Sequence, residues 1–482
     1  MKSKIFFMFF IIFLLSIAFR VWVSTPTWMH WDENYYINIA QNYAERGELT
    51  PYMWRLGDTN IIAGGGSGYG ILLLNEWMRQ VGGSLFWGRM LMVFAGLVSA
   101  GIIYKTASTW WNSRVAGIAA LTFALVSTSS FYTLVLRMDA IGILMINLLL
   151  LLHIYAVRLD NKWFHLGVGI AAVFVIEFHV MGFLYLIALT IYYSVTYIQD
   201  VISKRYIVLD TGSIYFIVGA LLAGLIYVMV HILPDPKAYF FIPTECFECN
   251  DGMLITEFKR LIRLLVFRPL EVLIFLIVLV AALTRKKPED YHYLIILIGW
   301  LIAQVFIGPP PYTHYSNHFW PLIALGVGGF VARGFSNQQT QKWRYSVGII
   351  ISLVFLGANL VMHLLDSHPY LLSYELNESK AFDYVHREIP EDTVIMGQVH
   401  SFYPLKEYKN FLSYRDGDVY GIKMRGENQV DFWRRLQPQV ILLNEEVVSG
   451  DEELIGYMRE RKLSQIFPDL WVSDSLIDLH SP

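Results

Sequence analysis

Two adjacent carboxylates, Asp32 and Glu33, follow closely after the first apolar segment of the chain. That segment, from Ile5 to Val23, is long enough to cross a bilayer as a helix. Charges at this place are not needed for anchoring, and a carboxylate can act as a general base. The pair is therefore the first catalytic candidate, at the mouth of a membrane protein on the side to which the chain has crossed.

A second group of polar and ionisable side chains lies near the same predicted side of the membrane. Charged residues at membrane depth are costly, which makes them functional candidates. Carboxylates there could remove a proton, and cations could hold an anionic group, since arginine binds phosphate bidentately. The group comprises Arg89, Arg137, Asp139, Glu177, His179, Tyr312, His314, Tyr315 and His318.

Each of these candidates also has a purely structural interpretation. Asp32 is a favoured residue type for the N-cap of an amphipathic interfacial helix, and capping can coexist with catalysis. Arg137 and Asp139 could form a local ion pair with the arginine snorkelling outward. Glu177 and His179 could satisfy each other, and the residues near His314 could be interfacial aromatics.

The composition identifies a polytopic membrane protein. Hydrophobic residues make up 55% of the 482 residues and charged residues 16%, whereas soluble domains carry roughly 25% charged residues. The net charge of −3 argues neither for nor against nucleic-acid binding, and no nucleic-acid partner is expected. The cysteines, Cys246 and Cys249, form half of a zinc motif without a second half, so a local disulfide outside the cytoplasm is favoured.

Hydropathy predicts about eleven spanning helices, each of the roughly 17–25 residues that a bilayer requires. Their estimated ranges are 5–23, 84–104, 115–134, 140–157, 164–180, 182–198, 213–233, 268–284, 291–307, 317–334 and 345–365. Lys and Arg fall in every second short loop, which predicts a cytoplasmic N-terminus. An odd number of spans then places the C-terminus on the extracytoplasmic side of a cell membrane.

Two domains are expected. Residues 1–365 form a membrane module with an exterior loop, 24–83, and residues 366–482 form an extracytoplasmic domain. In that domain, apolar runs at 394–396 and 440–443 predict strands, and the patterns at 377–388 and 451–462 predict helices. The fold class is thus mainly α with a C-terminal soluble α/β domain. The glycine-rich stretch 64–70 lacks the lysine of a P-loop and is interpreted as a mobile loop.

The motifs resemble those of the GT-C glycosyltransferases that use polyprenyl-phosphate sugars, in particular the protein O-mannosyltransferases and the bacterial aminoarabinose transferases of lipid A. The resemblance covers about the first ten spans. It departs from the family at His179, where a lysine often precedes a glycine, and at 68–70, where prolines are common. The matching segments are Trp31 to Tyr36, Gly88 with Arg89, Ser127 to Asp139, and His314 with Tyr315 continuing to Pro321.

The resemblance implies an inverting transfer of a sugar from a polyprenyl-phosphate donor to an acceptor outside the cytoplasm. Asp32 would be the base, with Glu33 and Asp139 assisting it. The implied substrate or phosphate ligands are Arg89, Arg137, His179, His314 and Tyr315. A divalent metal ion between Asp32 and Asp139 is a further hypothesis, since hard cations bind carboxylate oxygens.

The alternative function is a transporter or channel with an exterior sensing domain. Such a protein would also carry polar residues in its spans, but it needs a path to the cytoplasmic face. Few ionisable groups occupy the inner halves of the predicted spans, which disfavours this alternative. A non-catalytic scaffold that keeps only the fold is a second alternative.

Overall fold

A computed structural model describes most of the helical chain and the C-terminal sheet. The described residues are 31–46, 68–82, 84–128, 136–204, 210–233, 288–307, 318–331, 378–398, 410–414 and 428–477, with isolated positions between them. Several predictions lie wholly or mostly outside these residues. They are the spans 5–23, 268–284 and 345–365 and the side chains of Cys246, Cys249, Tyr312, His314 and Tyr315.

Ten helices precede the C-terminal domain in the described part of the chain. Helices α6, α8 and α10 continue into short turns of different pitch, at Val175–Glu177 (3₁₀), Val228–Ile232 (π) and Val327–Val331 (π). The ten are α1 Trp31–Arg46, α2 Gly68–Gln80, α3 Leu85–Trp110, α4 Ser113–Thr128, α5 Met138–Leu159, α6 Lys162–Phe174, α7 Gly182–Lys204, α8 Thr211–Tyr227, α9 Pro288–Ile307 and α10 Trp320–Gly326.

Four of the described helices are long and apolar enough to cross a membrane: Leu85–Trp110, Met138–Leu159, Gly182–Ile202 and Thr211–Ile232. Their burial differs in an informative way. The apolar window of α5 is 61% buried, whereas that of the Thr211–Ile232 helix is only 22% buried. An apolar helix so widely exposed needs an apolar solvent, so α8 is suited to face lipid and α5 to stand inside the bundle. The total of eleven spans stays a prediction.

Short polar connections set where these helices begin and end. Asp160 terminates α5 in the left-handed conformation, with φ 46°. The Asn161 side chain then accepts a hydrogen bond from the Trp163 N–H and caps α6. Asp210 caps α8 in the same way through the N–H groups of Gly212 and Ser213. These caps satisfy donors that the first turn of a helix leaves unpaired.

Helices α6 and α8 approach each other through glycine. A Cβ at Gly169 would collide with the Phe216 carbonyl oxygen, and one at Gly219 would collide with the carbonyl oxygen of Leu166. Small residues at such contacts let two backbones come together, which is how helices associate where lipid removes the usual hydrophobic drive. The close α6–α8 contact therefore depends on the absence of a side chain at Gly169 and Gly219.

The predicted break between the fifth and sixth spans is a tight turn rather than a loop. The chain leaves α6 through the 3₁₀ turn Val175–Glu177 and enters α7 at Gly182. The Gly182 N–H donates to the His179 carbonyl oxygen at 2.8 Å. A Cβ at Gly182 would lie 2.7 Å from the Val175 side chain, so glycine allows this close turn.

The C-terminal region is an α/β fold around a five-stranded sheet. Strand order is β2-β1-β3-β5-β4, with β1 parallel to β2 and β3, and with β5 antiparallel to β3 and β4. The predicted strands and helices of this region are confirmed within a few residues. The elements are α11 Glu378–Glu388, β1 Ile395–Gly397, β2 Phe411–Ser413, α12 Gln429–Leu436, β3 Val440–Leu442, α13 Glu445–Ser449, α14 Glu452–Glu460, β4 Leu463–Phe467, β5 Leu470–Ser473 and α15 Asp474–Ile477.

The chain divides into two compact units. One contains Met1–Thr25, Gly64–Gly70 and Ser84–His363, and the other contains Pro26–Ala63, Ile71–Gly83 and Leu364–Pro482. The first holds the apolar bundle, and the second holds the sheet. The proposed domain division at residue 365 stays a prediction.

The α6–α8 contact can be tested by replacing a glycine inside the contact and a glycine outside it with alanine. We expect Gly219→Ala to lower the free energy of unfolding by about 1–3 kcal/mol, because the new methyl group overpacks a backbone contact. Gly224→Ala on the same helix is the control, since a Cβ there meets nothing within 4 Å. Thermal unfolding of the two purified variants in detergent makes the comparison. Equal melting temperatures would contradict this packing.

Candidate functional site

Asp139 lies in the first turn of α5 and has no exposed surface. Arg137 occupies the N-cap position of the same helix in an extended conformation. This geometry brings the Arg137 Nε within 2.8 Å of Asp139 Oδ2, to which it donates a hydrogen bond. The positive end of the helix dipole also favours a carboxylate in the first turn. A buried charge requires such pairing, because an isolated one is very costly.

His179 lies on the other side of the Asp139 carboxylate. Its Nε2 is 3.7 Å from Asp139 Oδ1, which is an electrostatic contact longer than a hydrogen bond. The backbone N–H of Met181 donates to the His179 Nδ1 at 3.2 Å. A nitrogen that accepts a hydrogen bond carries no proton, so the proton of the neutral imidazole lies on Nε2 and faces the carboxylate.

His318 completes the cluster. Its ring stacks on that of His179 with 3.9 Å between centroids and 25° between planes. The Tyr185 hydroxyl donates to the backbone carbonyl of His318 at 2.6 Å and fixes the start of α10 beside α7. Both histidines are almost completely buried. The sequence placed His318 among the polar candidates near the membrane, but the family resemblance gave it no role.

Gly142, one turn after Asp139, makes room for both imidazoles. A Cβ at this position would lie 2.6 Å from the Cβ of His179 and 3.5 Å from His318 Nε2. Real Cβ atoms do not approach another carbon so closely. The glycine therefore allows the His179 ring to reach the carboxylate that α5 presents.

The residue types of the cluster are those of a metal site, but the proton on His179 Nε2 occupies the nitrogen that would bind the metal. The ligand atoms of Asp139, His179 and His318 lie within 4.8 Å of one another, and mixed nitrogen and oxygen donors suit zinc. However, Nδ1 of His179 is engaged by Met181, so Nε2 would have to lose its proton to bind a cation. The Arg137 guanidinium beside the carboxylate would also repel one. As arranged, these residues do not fit a resident metal ion.

The other predicted site residues are placed as follows. Asp32 is the second residue of α1, so it lies in the first turn rather than at the N-cap, which corrects the capping interpretation. Its side chain lies outside the described structure. Glu33 is completely buried, as is Arg89 in the second turn of α3. Gly68 to Gly70 belong to α2, so the predicted glycine loop cannot extend to residue 70.

The predicted pairing of Glu177 with His179 is wrong. Glu177 Oε1 lies 2.5 Å from His231 Nε2, and both side chains are about 5% exposed. The 3₁₀ turn aims Glu177 at the π-helical end of α8, while His179 faces Asp139. A lone histidine in the last turn of an apolar helix gave no sequence signal of this partnership.

Comparison with protein families by sequence identifies no matching family model, and no curated protein matches the chain. Structural comparison is more informative. The ArnT crystal structure from Cupriavidus metallidurans bound to undecaprenyl phosphate has a TM-score of 0.61 to this chain at 13% identity. The match covers 96% of this chain and 97% of ArnT.

Two archaeal structures are also similar. The Archaeoglobus fulgidus oligosaccharyltransferase AglB in complex with an inhibitory peptide and a dolichol-phosphate has a TM-score of 0.51 at 11% identity, covering 93% of this chain and 72% of AglB. The oligosaccharyltransferase from the same organism in complex with Zn and sulfate has a TM-score of 0.52 at 10% identity, covering 90% and 68%. At these identities the similarity establishes the fold. The resemblance predicted from the sequence motifs is thus confirmed at the level of architecture, and the chain has the GT-C fold of ArnT and AglB.

Proposed function

We propose that the protein is an integral membrane glycosyltransferase. It moves a sugar from a polyprenyl-phosphate carrier to a hydroxyl or amine of an acceptor on the extracytoplasmic side, with inversion at the anomeric carbon. The observation that carries the proposal is the buried cluster of Arg137, Asp139 and His179 at one end of the bundle. Such charges are costly to keep in an apolar bundle unless they act on a charged substrate.

The comparisons support a lipid-linked donor. The ArnT crystal structure contains undecaprenyl phosphate and the AglB complex contains a dolichol-phosphate, so two proteins of this fold bind lipid phosphates. A phosphate leaving group needs cations and hydrogen-bond donors rather than a general acid. Arginine supplies both in a planar fork.

The proposed reaction is a single displacement. Asp32 accepts the proton of the acceptor hydroxyl or amine, and the acceptor atom forms a bond to the anomeric carbon. The bond from that carbon to the phosphate oxygen breaks, and the lipid phosphate leaves with the electron pair. Positive charge develops on the sugar ring in the transition state, as in other glycosyl transfers. The proton ends on the Asp32 carboxylate, with Glu33 supporting the base.

We assign the Arg137, Asp139 and His179 cluster to the phosphate side of the reaction. Asp139 already accepts a hydrogen bond from Arg137, so it holds the guanidinium in one orientation as a positioning residue. Preorganised donors aimed at developing negative charge are usually a large contribution to catalysis. Arg89, His314 and Tyr315 are further candidates for donor binding by resemblance.

The first test is transfer itself. Purified protein incubated with a panel of radiolabelled polyprenyl-phosphate sugars should consume at least one donor. Asp32→Asn should reduce kcat by about 100-fold or more, because loss of a general base removes 10²–10⁴ of the rate. A folded Asp32→Asn variant with undiminished transfer would exclude Asp32 as the base.

Glu76→Gln is the matched control for that variant. Glu76 is an exposed acid of α2 in the same exterior loop, and its carboxylate bonds only to Arg79 and Gln80 among the described residues. Transfer by this variant should equal that of the wild type. If no donor is consumed but a solute crosses proteoliposomes containing the protein, the transporter alternative replaces the proposal.

The second test separates positioning from acceptor activation. Asp139→Asn keeps an oxygen for Arg137 but loses the charge, so the guanidinium is held less firmly. We expect kcat/KM for the donor to fall by about 100-fold, which is the cost of misplacing a binding group by about 1 Å. The KM for the acceptor should change little. Kinetics with donor and acceptor varied separately give the two values. An equal effect of the substitution on the donor and acceptor constants would contradict the assignment.

The third test concerns metal ions. We expect transfer to persist after treatment with EDTA, because Arg137 and the His179 proton occupy the positions that a cation would need around Asp139. Loss of activity that Zn²⁺ or Mg²⁺ restores would contradict this expectation. It would instead support the hypothesis of a metal ion held by Asp32 and Asp139.

A further inference from the structure

A second polar site lies at the opposite end of α5 from the Asp139 cluster. Asp139 and Arg158 are separated by 19 residues of one helix, which corresponds to about 29 Å. Arg158 lines a cavity of about 330 Å³ where α3 and α5 end and α9 begins. Its other polar and aromatic lining residues include Thr109, Trp110, Trp111, His153 and His292. The proposed transfer reaction uses none of them.

Arg158 gives the cavity a fixed positive charge. One terminal nitrogen of its guanidinium donates to the Thr109 carbonyl oxygen at 2.5 Å, which anchors the side chain to the last turn of α3. Among the residues that the structure describes, the other guanidinium nitrogens have no hydrogen-bond partner. They remain able to bind an anion, and arginine binds phosphate through two such donors at once.

One oriented imidazole adds a neutral donor. The Tyr192 hydroxyl lies 2.7 Å from His292 Nδ1. The Tyr193 hydroxyl lies 2.7 Å from His165 Nδ1 and only 3.4 Å from His153 Nδ1, so it does not fix the His153 proton. When a hydroxyl donates to Nδ1, the imidazole proton lies on Nε2, which becomes a donor. Among the described residues, the lining of the cavity contains no carboxylate. The nearby Asp290 is buried and accepts a hydrogen bond from the Trp111 indole at 3.3 Å.

The surroundings match the level of lipid head groups. Trp110 and Trp111 stack with 5.2 Å between centroids, and tryptophan is enriched where a membrane meets water. The basic run Arg285, Lys286 and Lys287 directly precedes α9 in the sequence. Basic pockets between transmembrane helices on the cytoplasmic side are known to bind phosphate head groups. The predicted topology places this end of α5 on that side.

We propose that this cavity binds the phosphate head group of an anionic membrane lipid. Arg158 holds the phosphate oxygens, His292 donates to them, and the tryptophans border the glycerol region. Its volume falls within the range of small-molecule sites. A soluble phosphate ester shares this chemistry, but the position at the end of a membrane-spanning helix and the paired tryptophans favour a lipid.

The test measures lipid binding rather than transfer. Purified protein in detergent is titrated with phosphatidylglycerol or phosphatidylcholine, and the melting temperature is measured at each lipid concentration. Native mass spectrometry of the same samples detects the lipid that the protein retains. Phosphatidylglycerol should stabilise the wild type, and phosphatidylcholine should not. Arg158→Gln should weaken phosphatidylglycerol binding about 10-fold or more, since it removes a charge-assisted hydrogen bond. Lys105→Gln is the matched control, because this exposed cation near the end of α3 does not line the cavity.

A second variant guards against misfolding, because Arg158 also anchors α3. His292→Asn keeps an acceptor near the Nδ1 position for Tyr192 and removes the Nε2 donor, so it should weaken the same lipid. Unchanged binding by a folded variant of either kind would overturn the proposal, as would an equal response to both lipids. Inorganic phosphate that stabilises the lipid-free protein and displaces phosphatidylglycerol would identify a soluble anion as the ligand instead.

Discussion

The pairing of one buried carboxylate determines the arrangement of the candidate site. Asp139 is completely buried, and breaking a buried ion pair typically costs about 3–5 kcal/mol because the remaining charge is uncompensated. Arg137 meets this requirement at the helix N-terminus, and the His179 ring approaches from the opposite side. That approach is possible only because Gly142 has no side chain. The electrostatic environment of Asp139 therefore depends on the close packing of α5 at Gly142.

The same helix explains why polar groups occur at two separate levels. Helix α5 carries Asp139 in its first turn and Arg158 in its last, and the apolar segment between them is largely buried. Its 22 residues span about 33 Å, close to the hydrocarbon thickness of a bilayer. A cluster at one end and a cavity at the other follow from a helix whose charged residues are confined to its ends.

Local patterns in the sequence predicted what depends on local physics. Hydropathy located both ends of α5 to within two residues and the start of α3 to within one, and short apolar runs located β1 and β3. The adjacency of Arg137 and Asp139 was readable because the two residues flank one helix start. The partnership of Glu177 with His231 was not, since it joins residues far apart through a 3₁₀ turn and a π turn that carry no sequence signal. Gly142 was missed, and His318 was named without a role, for the same reason: their roles arise from packing between helices.

The geometry also separates the roles of the acids. The Asp139 carboxylate is already engaged by the Arg137 guanidinium, so it is poorly placed to receive the proton of an acceptor. The same pairing makes it well suited to orient Arg137. Activation of the acceptor is then proposed for Asp32 and Glu33, in the first turn of α1. The proposed mechanism thus needs two sets of acids, because one carboxylate cannot both orient a cation tightly and take up a proton readily.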